Sequence, residues 1–220
     1  MLKVGLTGGI ASGKSVVGEM FVALGACLVQ ADRIAHELMR PGQPVYNQVV
    51  RHFGGGVLNP DLSVNRAKLA DAAFGSSGGA ATGAVSQVTS RVEELNRIVH
   101  PAVIRSQEEW MEEMGRQDPH AVAIVEAALI LEAGAAKRFD RLIVVTCTDE
   151  QRAVRFAARH KLAMDVARKE VERRMAAQLP EAEKIKAADF VVDNSGSLDQ
   201  TRGRVLGVWQ KLRTEANSRI

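Results

Sequence analysis

Gly8-Gly9-Ile10-Ala11-Ser12-Gly13-Lys14-Ser15 reads as a glycine, four residues, then Gly-Lys-Ser. The apolar run Leu2-Lys3-Val4-Gly5-Leu6-Thr7 precedes it and Val16-Val17-Gly18-Glu19-Met20-Phe21-Val22 follows, so the order predicted is buried strand, glycine turn, amphipathic helix. This is the P-loop pattern in its strand–turn–helix setting. Small residues let successive backbone N–H groups curl around a phosphate, and a helix starting near Lys14 points the positive end of its dipole at the same place. Gly9, Ala11, Ser12, Gly13, Lys14, Ser15 and Val16 are therefore expected to bind ATP. Lys14 would reach the β and γ phosphates, and the Ser15 hydroxyl would ligate Mg2+.

Composition narrows the setting of that loop. A chain of 220 residues can build one sizeable core with an inserted lobe, but not two large independent domains. Aromatic residues are only 4%, which supplies few stacking platforms for single-stranded nucleic acid, and the net charge of +3 marks no polyanion partner. Cys27 and Cys147 each lie in an apolar run without metal-type or pairing spacing, as expected of buried thiols in a reducing compartment. The N-terminus leads directly into a strand, and no apolar run approaches about 18 residues. The expectation is a cytoplasmic protein with no membrane or nucleic-acid partner, a monomer or weak homo-oligomer.

Beyond the first helix, Ala26-Cys27-Leu28-Val29-Gln30 reads as a second strand that delivers Asp32 to the end of a sheet. Ligands of open parallel sheets bind there. Asp32 suits a catalytic carboxylate in that place, and equally an N-cap for the helical stretch Ile34-Ala35-His36-Glu37-Leu38-Met39; the two roles are compatible. Helical patterns follow over residues 45–53 and 65–74. Residues 75–83, rich in Gly, Ser and Ala, are expected to form a mobile surface loop. Periodicity resumes over residues 85–99, and His100-Pro101 predicts a kink or restart before residues 102–114.

Two continuous apolar runs then predict parallel strands covered on both faces, Ala121-Val122-Ala123-Ile124-Val125, ending at Glu126, and Leu142-Ile143-Val144-Val145-Thr146. The arginine-dense region 151–178 reads as helical. Within it Arg152, Arg155 and Arg159 recur at helical spacing and can share a face. Such a stripe is either a solvated face or, downstream of a P-loop, a lid that closes planar guanidinium donors on phosphate oxygens. A fifth strand, Ala188-Asp189-Phe190-Val191-Val192, and a helix over residues 198–212 complete the chain. Alternating strands and helices predict an α/β fold, a doubly wound five-stranded parallel sheet.

These segments together resemble the dephospho-coenzyme A kinase family, a nucleoside-monophosphate-kinase-like group. The opening GLTGGIASGKS is similar to its GLTGGIGSGKS. Gln30-Ala31-Asp32 stands where the family has Asp-Ala-Asp, and Leu95-Asn96-Arg97-Ile98-Val99-His100-Pro101 resembles its LNxxxHP. Ala128-Leu129-Ile130-Leu131-Glu132 resembles PLLxE. Arg174 with Gln178, then Lys184 and the run from Ala188 to Gly196, resembles RxxxQ, K and ADxVIDNxG.

The resemblance implies that the sheet is of P-loop kinase type. It also implies transfer of the ATP γ-phosphoryl group to the ribose 3′-hydroxyl of dephospho-CoA, with Mg2+ as cofactor. Lys14, Asp32, Arg155 and Arg159 would be catalytic, and Asn194 and Gly196 would lie near the adenine of ATP. Asp32, Arg66, His100 and Arg174 would contact the acceptor, although His100 equally suits a structural role beside Pro101. The implied layout is one domain over residues 1–220: a core of 1–40, 119–150 and 186–220, a helical acceptor lobe at about 41–117 and a lid at about 151–180. Ala11 stands in place of a family glycine, and its Cβ is acceptable there only with negative φ. Gln30 in place of Asp leaves Asp32 the only carboxylate of that segment. The alternatives are a P-loop kinase for another nucleotide-like or small-molecule acceptor, and a nucleotide-sensing switch module.

Overall fold

The computed structural model describes residues 1–74 and 85–219, so the expected loop at 75–83 lies outside the described residues. The chain divides into two compact units, Met1–Gln30 with Trp110–Ile220, and Ala31–Glu109.

The first unit is built on five parallel strands, β1 (Leu2–Gly8), β2 (Cys27–Gln30), β3 (Val122–Glu126), β4 (Arg141–Thr146) and β5 (Phe190–Asp193), in the order β2-β3-β1-β4-β5. The expected parallel sheet is therefore present, with β1 at its centre. Register pairs Leu6 with Glu126 and with Ile143, so the P-loop that follows β1 emerges level with the ends of its neighbours. The apolar runs of β1, β3 and β4 are covered on both faces, while β2 and β5 at the sheet edges are partly exposed. On one face Leu2, Val4, Leu6, Ile124, Ile143 and Val145 meet Val17 and Phe21 of α1 (Lys14–Ala23), together with Val205, Trp209 and Leu212 of the C-terminal helix Leu198–Ser218. On the other face Ala123 and Val125 pack with Met111, and Leu142 and Val144 with Ile130. Each fully buried Leu or Phe among them contributes roughly 1.5–3 kcal/mol. The C-terminal helix continues past its expected end at Leu212 because Ala216, one further turn along, is also buried in this cluster.

The second unit is helical. It holds α2 (Ala31–Leu38), α3 (Pro44–Phe53), α4 (Arg66–Phe74) and the first part of α5 (Val85–Gln117), and it buries Ile34, Val45, Val49, Val57, Leu69, Val99 and Val103. Pro44 opens α3 at a position where its missing N–H costs nothing. Asn65 caps α4, its Oδ1 accepting from Lys68 N at 3.0 Å. Of the expected kink or restart at Pro101, the restart does not occur, since α5 is one helix of 33 residues with Pro101 inside. Proline removes one backbone hydrogen bond, and the buried Val99 and Val103 on either side hold the helix through it. Among the described residues no helix is long and apolar enough to cross a membrane.

The arginine-dense region is helical as expected and forms two helices, α6 (Asp149–His160) and α7 (Met164–Ala176). Lys161 at φ 54° ends α6 in a left-handed cap. A short α8 (Glu181–Ala187) follows, and the C-terminal helix is α9.

Candidate active site

Because the sheet is parallel, the C-terminal ends of its strands deliver the P-loop, Glu126, Cys147 and Asn194 to one edge. Gly13 is the N-cap of α1 at φ 94°, a left-handed conformation natural to glycine, and α1 begins at Lys14 as expected. Lys14 Nζ donates to Gly8 O at 3.0 Å and Gly9 O at 3.1 Å, curling over the loop. Val16 is exposed on the first turn of α1. Ala11 corrects the expectation of negative φ: it lies at φ 52°. Its methyl packs against the cluster of Phe156, Ala157, Ala167 and Val171, which offsets the strain of a left-handed alanine. Ile10 joins the same cluster, so α6 and α7 are seated on the P-loop itself.

Arginines from α6 hold the loop through its carbonyls. Arg152, only 1% exposed, donates from Nη1 to Ile10 O at 3.0 Å and from Nη2 to Cys147 O at 3.3 Å. Its Nη2 also pairs with Glu181, while Nε lies 3.3 Å from Asp149 Oδ1. Arg155 donates to Ser12 O at 3.2 Å and Asn194 O at 2.9 Å. Arg159 is exposed and has no polar partner among the described residues. The stripe is thus split, with two residues turned onto the loop and one facing solvent.

Asn194 is 4% exposed and uses both ends of its amide on protein: Nδ2 donates to Ser12 O at 2.9 Å, and Oδ1 accepts from Thr201 Oγ1 at 3.1 Å. Its side chain therefore braces the P-loop. Gly196 leaves room for the capping box of α9, where a Cβ would overlap Gln200. Burial pushes the Cys147 thiol up from its usual range, against the opposing charges of Arg152 and Arg155.

Ser15 Oγ donates to Glu126 Oε1 at 2.8 Å, and Gln30 Nε2 donates to Glu126 Oε2 at 2.9 Å. Glu126 is 8% exposed, so this is a carboxylate kept at the sheet edge by two neutral donors. A hydroxyl and a carboxylate are hard oxygen donors, and Mg2+ takes one or two such ligands while retaining waters and phosphate oxygens. The pair fits that ion.

Three residues expected at the acceptor lie in the helical unit or at its start. Asp32 sits inside the first turn of α2, which begins at Ala31 immediately after β2, so the N-cap reading is corrected. With no coil residue between strand and helix, Asp32 is already helical; it is exposed and without a hydrogen-bond partner among the described residues. Arg66 is exposed at the start of α4, and His100 is exposed on α5. Arg174 belongs to α7, where its Nε donates to Glu170 Oε1 at 2.6 Å and its guanidinium lies 5.2 Å from the Phe156 ring centroid. Hydrogen bonds from Arg173 and then Arg174 hold the Glu170 carboxyl at about 2.

Arg152 and Glu126 are the residues that sequence reasoning passed over as site groups. Arg152 looked like one member of a charged stripe, and nothing in the spacing marks it as the buried one. Glu126 did carry a signal, a carboxylate closing an otherwise apolar strand.

Residues 2–200 match the family described as dephospho-CoA kinase. A dephospho-CoA kinase of Moorella thermoacetica is 37% identical over 212 residues, covering 96% of this chain and 92% of its own. One from Geobacter metallireducens is 37% identical over 219 residues and the whole of both chains. Among solved structures, TT1252 from Thermus thermophilus superposes with a TM-score of 0.74 at 29% identity, over 94% of this chain and 95% of that one. The dephospho-CoA kinase from Campylobacter jejuni shares the fold, with a TM-score of 0.65 at 23% identity, over 96% of this chain and 97% of that one.

Proposed function

The chain belongs to the dephospho-CoA kinase family, and from that premise we propose that it transfers the γ-phosphoryl group of ATP to the ribose 3′-hydroxyl of dephospho-CoA. The products are CoA and ADP, and the reaction is the last step of coenzyme A biosynthesis. The observation that carries this reading is the phosphate cradle of residues 8–15, with Lys14 at the start of α1 and Arg152 and Arg155 seated on its carbonyls. Phosphoryl transfer asks for positioning and charge neutralisation more than for covalent chemistry, and a rigid cradle with three cations supplies both.

Lys14 neutralises the transferring phosphate, and the backbone N–H groups of residues 9–16 hold the β phosphate. Ser15 and Glu126 hold Mg2+, which neutralises charge on the phosphate oxygens when bound. Arg155 and Arg159 serve the transferring group from α6. For Arg155 this means giving up its bond to the Ser12 carbonyl for one to a phosphate oxygen. Asp32, as an exposed carboxylate two residues beyond β2, accepts or orients the hydroxyl proton. Arg66, His100 and Arg174 contact the acceptor, and the unit Ala31–Glu109 is its binding lobe. Asn194 and Gly196 shape the adenine end of the site through the loop they form.

Incubation with ATP, Mg2+ and dephospho-CoA, followed by product identification, tests the reading. The expected product carries one new phosphate at the 3′-hydroxyl, with ADP formed in equal amount. ADP formation that ignores dephospho-CoA but responds to another acceptor would assign a different kinase. ADP formation that responds to no acceptor would make the loop a nucleotide switch.

A further inference from the structure

Lys184, Glu132 and Gln178 come together from separate segments, none of them a residue assigned above to a substrate. Lys184 of α8 is 2% exposed, and its Nζ lies 2.7 Å from Glu132 Oε1 and donates to Gln178 Oε1 at 3.2 Å. The same Glu132 oxygen accepts the Leu179 N–H at 3.1 Å. The pair therefore ties the loop after β3 to both the turn between α7 and α8 and the body of α8. One helical turn before Lys184, Glu181 opens α8 and pairs with Arg152, whose Nη1 bonds Ile10 O of the P-loop. A cavity of about 60 Å³ joins the two pairs, lined by Gly9, Arg152, Gln178, Glu181 and Lys184.

Stability alone is a poor reason for a lysine in this place. Removing both charges of a buried ion pair is often neutral or stabilising, because the desolvation of each ion cancels much of their attraction. What the pair does supply is position. Lys184 holds α8 against Glu132, and α8 so held presents Glu181 to a guanidinium that is otherwise almost wholly buried beside Gly9.

We propose that Lys184 is a positioning residue for ATP binding, acting through Glu132, Glu181 and Arg152 to set the Gly9-Ile10 segment of the P-loop. The proposal rests on the P-loop binding ATP and not on the identity of the acceptor, so the test reads ATP binding directly, by calorimetry without acceptor.

Lys184→Met leaves the partly buried Glu132 without its counter-charge and should lower the melting temperature. Lys184→Met with Glu132→Gln removes both charges and should melt close to the parent, yet bind ATP about tenfold more weakly. Lys184→Arg should keep most of the affinity. Glu181→Gln, at a half-exposed helix start, should weaken ATP about as much, and adding it to the Lys184/Glu132 double variant should weaken binding no further, since one relay cannot be broken twice. Affinity that recovers together with melting temperature in the double variant would reduce the cluster to packing and overturn the proposal. Full affinity in Glu181→Gln would do the same, and that variant decides alone should the Lys184 variants fail to fold. Failure of the acceptor assignment would leave every one of these ATP affinities unchanged, so the two readings fall separately.

Discussion

Asn194 lays its side-chain amide across Gly13, with Nδ2 donating to Ser12 O at 2.9 Å in the space that a Cβ on Gly13 would need. A residue at the far end of the chain thus closes on the phosphate loop near its beginning. Arg155 adds a second donor to the same Ser12 carbonyl and a bond to Asn194 O. The cradle is shaped from β1, α6 and the end of β5 together, which pre-pays the ordering that a phosphate would otherwise impose on a glycine loop.

Gly13→Ala tests that closure. Alanine at φ 94° carries a backbone penalty of about 1–2 kcal/mol, and its methyl displaces the Asn194 amide. For a chain of this size about 1 kcal/mol is roughly 2–4 °C. A melting temperature several degrees lower and ATP binding at least about tenfold weaker are expected; an unchanged ATP affinity would show that the loop tolerates an open Asn194.

Lys14→Ala separates charge from fold. Its two bonds to Gly8 O and Gly9 O are at a part-exposed loop, so the melting temperature should fall by a few degrees at most. Turnover should fall by about 10³-fold or more, because the lysine neutralises charge on the transferring phosphate. Near-normal turnover, measured as ADP release with dephospho-CoA present, would take the loop out of the mechanism.

Arg152 and Arg159 should part company although seven residues apart on one helix. Arg152→Ala empties a site that is 1% exposed and removes the bonds to Ile10 O and Cys147 O, which should cost about 2–4 kcal/mol, roughly 10 °C of melting temperature. Arg159→Ala should leave the melting temperature within about 2 °C, since surface changes rarely exceed about 0.5 kcal/mol, while lowering turnover about tenfold or more. Thermal melts paired with initial rates read both outcomes, and an Arg159 variant of full activity would confine the catalytic arginines to Arg155.

The contrast between those two arginines marks how far the sequence could be read. Five apolar runs made the parallel sheet legible, because burial of its central strands on both faces leaves a composition that solvent-exposed elements do not share. Gly13-Lys14-Ser15 made the phosphate end legible for a similar reason, since few other residue types permit that backbone. Orientation within α6 was not legible. Helical spacing puts Arg152, Arg155 and Arg159 along one side, but a drift of 20° per seven residues and the seating of Phe156 and Ala157 on Ile10 decide which of them is buried. Asp32 failed as an N-cap because that reading presumes a coil residue between strand and helix, and here Gln30 ends β2 where Ala31 begins α2.

Cys147 gives a pH-dependent readout of the same region. Burial raises its pKa above the ordinary thiol value of 9.0, so less thiolate is present at pH 8 than in the unfolded chain. The sign follows: this group's contribution to stability is complete below the unfolded pKa and is lost as pH rises through the folded value. Thiol titration at pH 8 should therefore find Cys147 slow to react until the protein unfolds, with Cys27 of β2, half-buried, the faster of the two. Rapid modification of Cys147 in the native protein would mean that α6 lifts from the P-loop far more often than the packing of Phe156 allows.

Asp32→Asn isolates the proposed proton acceptor. Asp32 lies in the first turn of α2, where a negative charge favours the helix dipole by about 0.3–1 kcal/mol, so the neutral variant should melt roughly 1–3 °C lower and no more. ATP affinity should hold, because the residue makes no hydrogen bond to the P-loop. Turnover depends on the carboxylate itself, since a carboxamide oxygen is far less basic and brings no charge to orient the hydroxyl, and should fall by about 10²-fold or more. The obvious substitute, Glu132, is already committed to Lys184 and to the Leu179 N–H, and Glu126 to Ser15 and Gln30. With Gln30 in place of a second carboxylate, loss of Asp32 leaves its segment with no proton acceptor. If Asp32→Asn turned over at the parent rate, the acceptor hydroxyl would have to be activated without a general base, by phosphate oxygens or bound water alone.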